Sequence, residues 1–226
     1  MPPQTYIDAT DLNLWANRND ASLLLPKLLR RLVLTTIRDI NFIGFRAGDG
    51  VFIGGWDGRL DVGSGNAFVP EGKSVWEIGT NKGIRAKADQ DYEKRKVDPL
   101  GYSPAETTYI FVTPRRWRDK DAWIIERQSE GVWKDVRAYD ADDIEAWLEI
   151  GPNVHIWLSI LLGKHPESVV DISNYWSEWT GVTNPPLSSE LVISGRSAST
   201  DELYSWLGGA PSVRALQSDS KEEAIA

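Results

Sequence analysis

Apolar and polar positions alternate along this chain with two different periods. Between residues 10 and 40, Leu12, Leu14 and Trp15 precede Leu24, Leu25, Leu28, Leu29, Leu32 and Val33, spaced at three and four. That period predicts helices with an apolar stripe. Thr10 or Asp11 is the expected N-cap of the first helix, and Asp20 or Ser22 that of the second. Pro26 is expected in the first helical turn, where its missing N–H is harmless. A strand follows over about Asn41–Arg46, then a hairpin that begins near Val51 and returns through the run from Lys73 to Thr80. With period two, Asp57, Arg59 and Asp61 share one face of the outgoing strand, with Leu60 and Val62 on the other. On the return strand Val75, Glu77 and Gly79 share a face, and Trp76 and Ile78 lie opposite.

The period returns to helical from Ile84 to about Lys96, in a strongly charged segment that Pro99 closes. A buried strand at Tyr109–Val112, a helix at Lys120–Ser129 and a strand around Trp133–Tyr139 come next. A helix then starts at Asp140, its expected N-cap, and another covers 153–163. Helices alternating with strands after an initial hairpin imply a mixed α/β sheet covered on both faces. Beyond about Pro166 the composition shifts to Trp among Ser, Thr, Asn, Gly and Pro. The division expected is therefore a domain over 1–164 and a less regular extension over 165–226. The final S-K-E-E-A-I-A reads as the start of a helix, so the expectation is an N-terminal piece of a larger protein.

Composition narrows the chemistry. The 226 residues include no cysteine, which removes thiol catalysis and cysteine-bound zinc. The two histidines, His155 and His165, lie far from the hairpin, and His155 reads as packed in an apolar helix. No apolar run approaches the roughly 20 residues of a membrane span and the start lacks a signal pattern, so a cytoplasmic protein is expected. The net charge of −8 argues against coating by nucleic acid, but its distribution is uneven. Residues 165–226 hold three Lys/Arg and nine Asp/Glu, which leaves the first 164 residues near neutrality. Lys27–Arg38 and Arg115–Lys120 form local basic patches; Arg115, Arg116 and Arg118 read first as an exposed loop and second as a grip on phosphate. L-V-I-S-G-R-S-A-S-T looks like a strand entering a Gly/Ser loop but lacks the spacing of a phosphate loop, so no nucleotide site is expected there.

Candidate chemistry centres on the hairpin. Two carboxylates on adjacent strands can hold a hard divalent cation that keeps water and phosphate as further ligands. Asp57, with Asp61 as a substitute, and Glu77 are the candidate metal ligands, and a lysine beside them can orient water or neutralise developing charge. An acid inside the apolar run V-W-E-I is costly to bury unless it is paired or metal-bound. Asp–Glu–downstream Lys on a hairpin, in this order of elements, resembles the PD-(D/E)XK or restriction-endonuclease-like fold. The blocks G-G-W-D-G, V-P-E-G-K-S-V-W-E-I-G-T-N-K, K-A-D-Q-D-Y-E-K-R and F-V-T-P-R-R-W-R-D-K-D-A-W resemble the N-terminal nuclease-like region of large bacterial anti-phage defence proteins carrying a STAND-type NTPase.

That resemblance implies a restriction-endonuclease-like mixed central sheet flanked by helices. It implies an endonuclease that uses Mg²⁺ or Mn²⁺ to hydrolyse double-stranded DNA, acting as a homo-oligomer alongside its own C-terminal NTPase or sensor domains. Where the pattern has lysine two residues after the glutamate, this chain has Gly79. Lys87, one turn into the following helix, is the preferred substitute, and Lys82 the second. The alternative is a module of the same fold that binds DNA or a protein without cutting.

Overall fold

The computed structural model describes residues 6–48, 54–164, 172–210, 212–215 and 217. Val51, His165 and Pro166, which enter the expectations above, and the last nine residues lie outside the described residues. The chain divides into two units, Met1–Glu167 and Ser168–Ala226.

The first unit begins with α1 (Ala9–Trp15) and α2 (Ala21–Thr36). The N-cap of α1 is Asp8, two residues before Thr10, the earlier of the two expected caps. Its carboxylate accepts from the Asp11 N–H at 2.9 Å, while Asp11 returns the bond to the Asp8 N–H at 2.9 Å. The D-x-x-D spacing of a capping box therefore decides the boundary. Asp20 precedes α2 without a side-chain cap and pairs instead with Arg18. Because α2 starts at Ala21, Pro26 falls at its sixth residue and not in the first turn. A proline there has no N–H to give the Ser22 carbonyl four residues back.

Strands β1 (Ile40–Phe45), β2 (Gly58–Val62), β3 (Gly72–Ile78), β4 (Thr108–Val112) and β5 (Asp135–Tyr139) form one sheet in sequence order. β1–β2 and β2–β3 are antiparallel, and β3–β4 and β4–β5 are parallel. Parallel neighbours need crossovers. Here α3 (Ile84–Val97) links β3 to β4, and α4 (Lys120–Ser129) links β4 to β5. α5 (Ala141–Glu149) and α6 (Pro152–Leu161) follow, α5 capped by Asp140 in a second capping box with Asp143. This is the mixed α/β sheet flanked by helices that the alternation of periods implies.

The two sheet faces bury different side chains. On one, Leu12, Leu25, Leu28, Leu29, Leu32 and Val33 of α1 and α2 pack with Leu60, Val62, Trp76, Ile110 and Val112 of the sheet and with Ile144, Trp147 and Leu148 of α5. On the other, Val75, Tyr109, Phe111, Val136 and Ala138 meet Trp56, Ala88, Tyr92, Trp117, Trp123 and Trp133. Seven of the eleven tryptophans are buried in one or the other. His155 is packed as expected, its Nε2 2.8 Å from the Ile7 carbonyl oxygen and its ring 4.9 Å from that of Tyr6.

The second unit, taken by itself, consists of α7 (Ile172–Thr180), α8 (Ser189–Ile193) and α9 (Ser197–Leu207). The stretch expected as a strand before a Gly/Ser loop is thus helical on both sides of Gly195. Among the described residues no helix is long and apolar enough to cross a membrane.

Candidate active site at the open end of the third strand

The β2–β3 register puts Gly58 opposite Trp76, so one step further Asp57 comes opposite Glu77 on the same face. Trp76 points into the leucine-rich core, which leaves Val75 and Glu77 on the side of α3. Asp57 is fixed by two backbone groups. Its carbonyl accepts from the Arg46 N–H at 3.1 Å, and its Oδ2 accepts from the Ile78 N–H at 2.9 Å.

Helix α3 turns one charged row toward this pair. Lys87, Asp91 and Arg95 recur every four residues and so share a face, flanked by the buried Ala88 and Tyr92. Arg95, 3% exposed, donates through Nε to Oε1 of Glu77 and through a terminal nitrogen to the Gly55 carbonyl. Its guanidinium also lies 4.6 Å from the Trp56 ring centre. This one side chain therefore ties the segment before β2 to the acid of β3. Lys87 Nζ donates to Oδ1 of Asp91 at 2.7 Å, and Oδ2 of Asp91 is buried with no hydrogen-bond partner.

Three acids (Asp57, Glu77, Asp91) and two bases (Lys87, Arg95) thus share one region, one negative charge in excess when all are ionised. Burial, reinforced by the Asp57 carboxylate, pushes Glu77 up to about 8 against the pull of Arg95. Burial also raises Asp91, against the pull of Lys87. A cluster of this kind favours any species that brings positive charge, a proton or a cation.

Gly79 explains how the lysine is placed. A Cβ at this position would sit 2.9 Å from Cζ of Phe111 and 3.0 Å from Cγ of Lys87. The stem of Lys87 therefore crosses the space that a side chain at 79 would need, and Lys87 emerges where the strand turns off after Ile78. There it forms part of a cleft of about 240 Å³ with Asp57, Ile78, Thr80 and Asn81 from the sheet end and Ser22 and Pro26 from α2. The cleft lies off the carboxyl end of β3, the usual place for ligands on an open α/β sheet.

Of the residues singled out in the sequence, Asp57 and Lys87 line the cleft and Glu77 lies opposite Asp57 with its side chain buried. Lys82 is exposed in the loop before α3 and is not a wall residue. Asp61 sits further along β2, opposite Lys73 and 3.4 Å from Nδ2 of Asn41. Arg115 is not part of an exposed loop. It is buried, bonding the Thr80 carbonyl at 2.8 Å, the Ala16 carbonyl at 2.9 Å and Oδ1 of Asn17 at 3.0 Å. Arg116 pairs with Asp142 at 3.1 Å, and Arg118 is exposed.

Asp91 and Arg95 were not apparent from the sequence, because α3 reads as charged all round. Their signal is the triplet Ala88–Tyr92–Arg95 at i, i+4 and i+7, which marks the inner face. An all-oxygen set from Asp57 and Glu77 suits Mg²⁺ or Mn²⁺ in kind. Among the described residues no group of three or more His, Asp and Glu is placed to hold a metal ion. Comparison with known protein families, with curated proteins and with solved structures finds no match for this chain.

Proposed function

We propose that the cleft is the active site of a metal-dependent phosphodiesterase acting on double-stranded DNA, as the resemblance to PD-(D/E)XK nucleases implies. The observation that carries this reading is that Asp57 and Lys87 line one cleft at the end of β3, with Glu77 opposite Asp57 and the Lys87 stem across the glycine that replaces the usual lysine. The sheet order and the change from antiparallel to parallel pairing at β3 support it. The further expectations, a following NTPase domain and assembly of copies, rest on the resemblance alone.

In this reading Asp57 and Glu77 hold a Mg²⁺ or Mn²⁺ ion. When bound, the ion polarises the phosphate and lowers the pKa of an attacking water. Glu77 would serve such an ion as a carboxylate, with Arg95 as its second partner. Arg95 keeps that carboxylate aimed along the face of β3. The Lys87 ammonium faces the open cleft and offsets negative charge on the phosphate as the water oxygen bonds to phosphorus and the sugar oxygen leaves with a proton.

Supercoiled plasmid incubated with the purified chain tests this. Nicking is expected with Mg²⁺ and not with EDTA. Asp57→Asn, which keeps an oxygen for the Ile78 N–H, should lower the rate on the order of 10²–10³-fold with an unchanged melting temperature. Equal nicking by that variant, or nicking that persists in EDTA, would sink the assignment.

One observation favours a second reading. Both bases already have a buried acid, Lys87 with Asp91 and Arg95 with Glu77, which suits a module that binds DNA or a protein without cutting. That reading expects retarded but intact plasmid in a gel shift with the wild-type chain.

A further inference from the structure

The Lys87–Asp91 pair is arranged against the interests of its own helix. A base four residues before an acid is the weaker order for an i, i+4 pair. Lys87 also lies near the amino end of α3, where the helix dipole opposes positive charge and favours acids. α3 has no acid in its first turn and no side-chain cap at Gly83. Asp91 gains little as a surface partner either, since its side chain is only 7% exposed, against 30% for Lys87. Its second oxygen is buried without a partner, a costly state for an acid that only stabilises a helix.

The constraints on Lys87 come from two directions. Gly79 and Phe111 leave a channel for its stem beside β3, and Asp91 takes its amine at 2.7 Å. Asp57 and Lys94 also act electrostatically on Asp91, and Glu77 lies across from it on the sheet. We propose that Asp91 is the positioning residue of the cleft: it holds the Lys87 amine beside the open end of β3, so that a scissile phosphate meets its lysine from the helix and not from the strand. The role in cleavage rests on the reading of the cleft as a nuclease site; the positioning of Lys87 does not.

Two measurements on the full chain test this and separate the two claims. The first is a double-mutant cycle with Asp91→Asn, Lys87→Met and the double variant, read as single-turnover nicking at saturating DNA and as DNA affinity. If Asp91 acts through Lys87, Asp91→Asn slows cleavage by about 10–100-fold without weakening binding, and adds nothing on the Lys87→Met background. Independent, multiplying losses overturn the proposal, as does a loss that Asp91→Glu fails to restore in part.

The second measurement needs no cleavage. An amine-selective acylating reagent, read by peptide mass spectrometry, should modify Lys87 several-fold faster in Asp91→Asn than in the wild type, with Lys82 as unchanged reference. Melting curves confirm that both proteins are folded. An unchanged Lys87 rate overturns the positioning. A raised Lys87 rate in a protein that never nicks plasmid leaves Asp91 as the lysine's anchor and removes the nuclease reading instead.

Discussion

The two faces of this sheet solve the same packing problem with different materials. Toward α2 the sheet buries leucine, valine and tryptophan, and two of the polar groups buried there, Ser74 and Ser159, are neutral and hydrogen-bonded at 3.0 and 3.1 Å. Toward α3 it buries four tryptophans, two tyrosines and a phenylalanine around Glu77, Asp91 and Arg95. Aromatic rings fill volume while accepting a cation against their faces, and both Arg95 over Trp56 and Arg127 over Tyr92 use this. On the α2 face the corresponding cation, Arg31 over Trp157, sits at the rim and not among the buried side chains. Charge on the α3 face is therefore part of the architecture, held in place by ring faces and by the clamp from Arg95 to Glu77 and Gly55.

Removing the clamp should therefore do the most damage. Arg95→Met leaves Glu77 buried beside Asp57 and should lose about 3–5 kcal/mol of stability in urea unfolding. Adding Glu77→Leu makes this face resemble the other and should recover most of that loss, since an apolar replacement for a buried pair is often neutral. A double variant as unstable as the single one would mean that the faces are not interchangeable in this way.

On the opposite face Leu28→Ala should cost about 2–5 kcal/mol through the cavity it opens. That loss should be nearly the same at pH 5 and pH 8, because the leucine and valine side chains buried with Leu28 do not titrate.

The wild-type chain, by contrast, should respond to pH through the α3 face. Glu77 titrates near 4.5 in the unfolded chain and at about 8 in the fold, so between these values the folded state binds more protons and stability falls as pH rises. The full contribution is present below about 4.5 and is lost by about 8, a decline of at most about 5 kcal/mol at ~1.4 kcal/mol per pKa unit. Melting curves at pH 5, 6.5 and 8 read the slope, and Glu77→Gln should flatten it. A wild type whose stability climbs over this range would contradict the buried acid. The smallest effect belongs to the rim of the leucine face, where Arg31 lies 4.1 Å from the half-buried Trp157 ring. Arg31→Ala should lower stability by no more than about 1 kcal/mol.

Much of this arrangement was legible in the sequence. The period-two pattern put Asp57 and Glu77 on one face and Trp76 on the other, since a half-buried hairpin leaves little freedom in register. The order of elements and the α4 boundaries followed from periodicity and breakers. What escaped the reading was set by tertiary context. Pro26 lies deeper in α2 than expected because the helix starts at Ala21, after the Arg18–Asp20 pair closes the preceding turn. Arg115 reads as a loop cation but is drawn inward by three oxygen acceptors from segments about 35 to 99 residues away. Asp91 and Arg95 were hidden because burial of a charged helix face depends on a partner, Glu77, that belongs to another element.

Gly79 carries a consequence for how this sequence can change over time. A side chain longer than hydrogen at 79 meets Phe111 and the Lys87 stem together, so its effect depends on which residues are already present at 87 and 111. Substitutions at these three positions are accessible in some orders and blocked in others. A lysine stem already in place at 87 therefore holds position 79 to glycine by epistasis, and a side chain at 79 requires that the helix first let go.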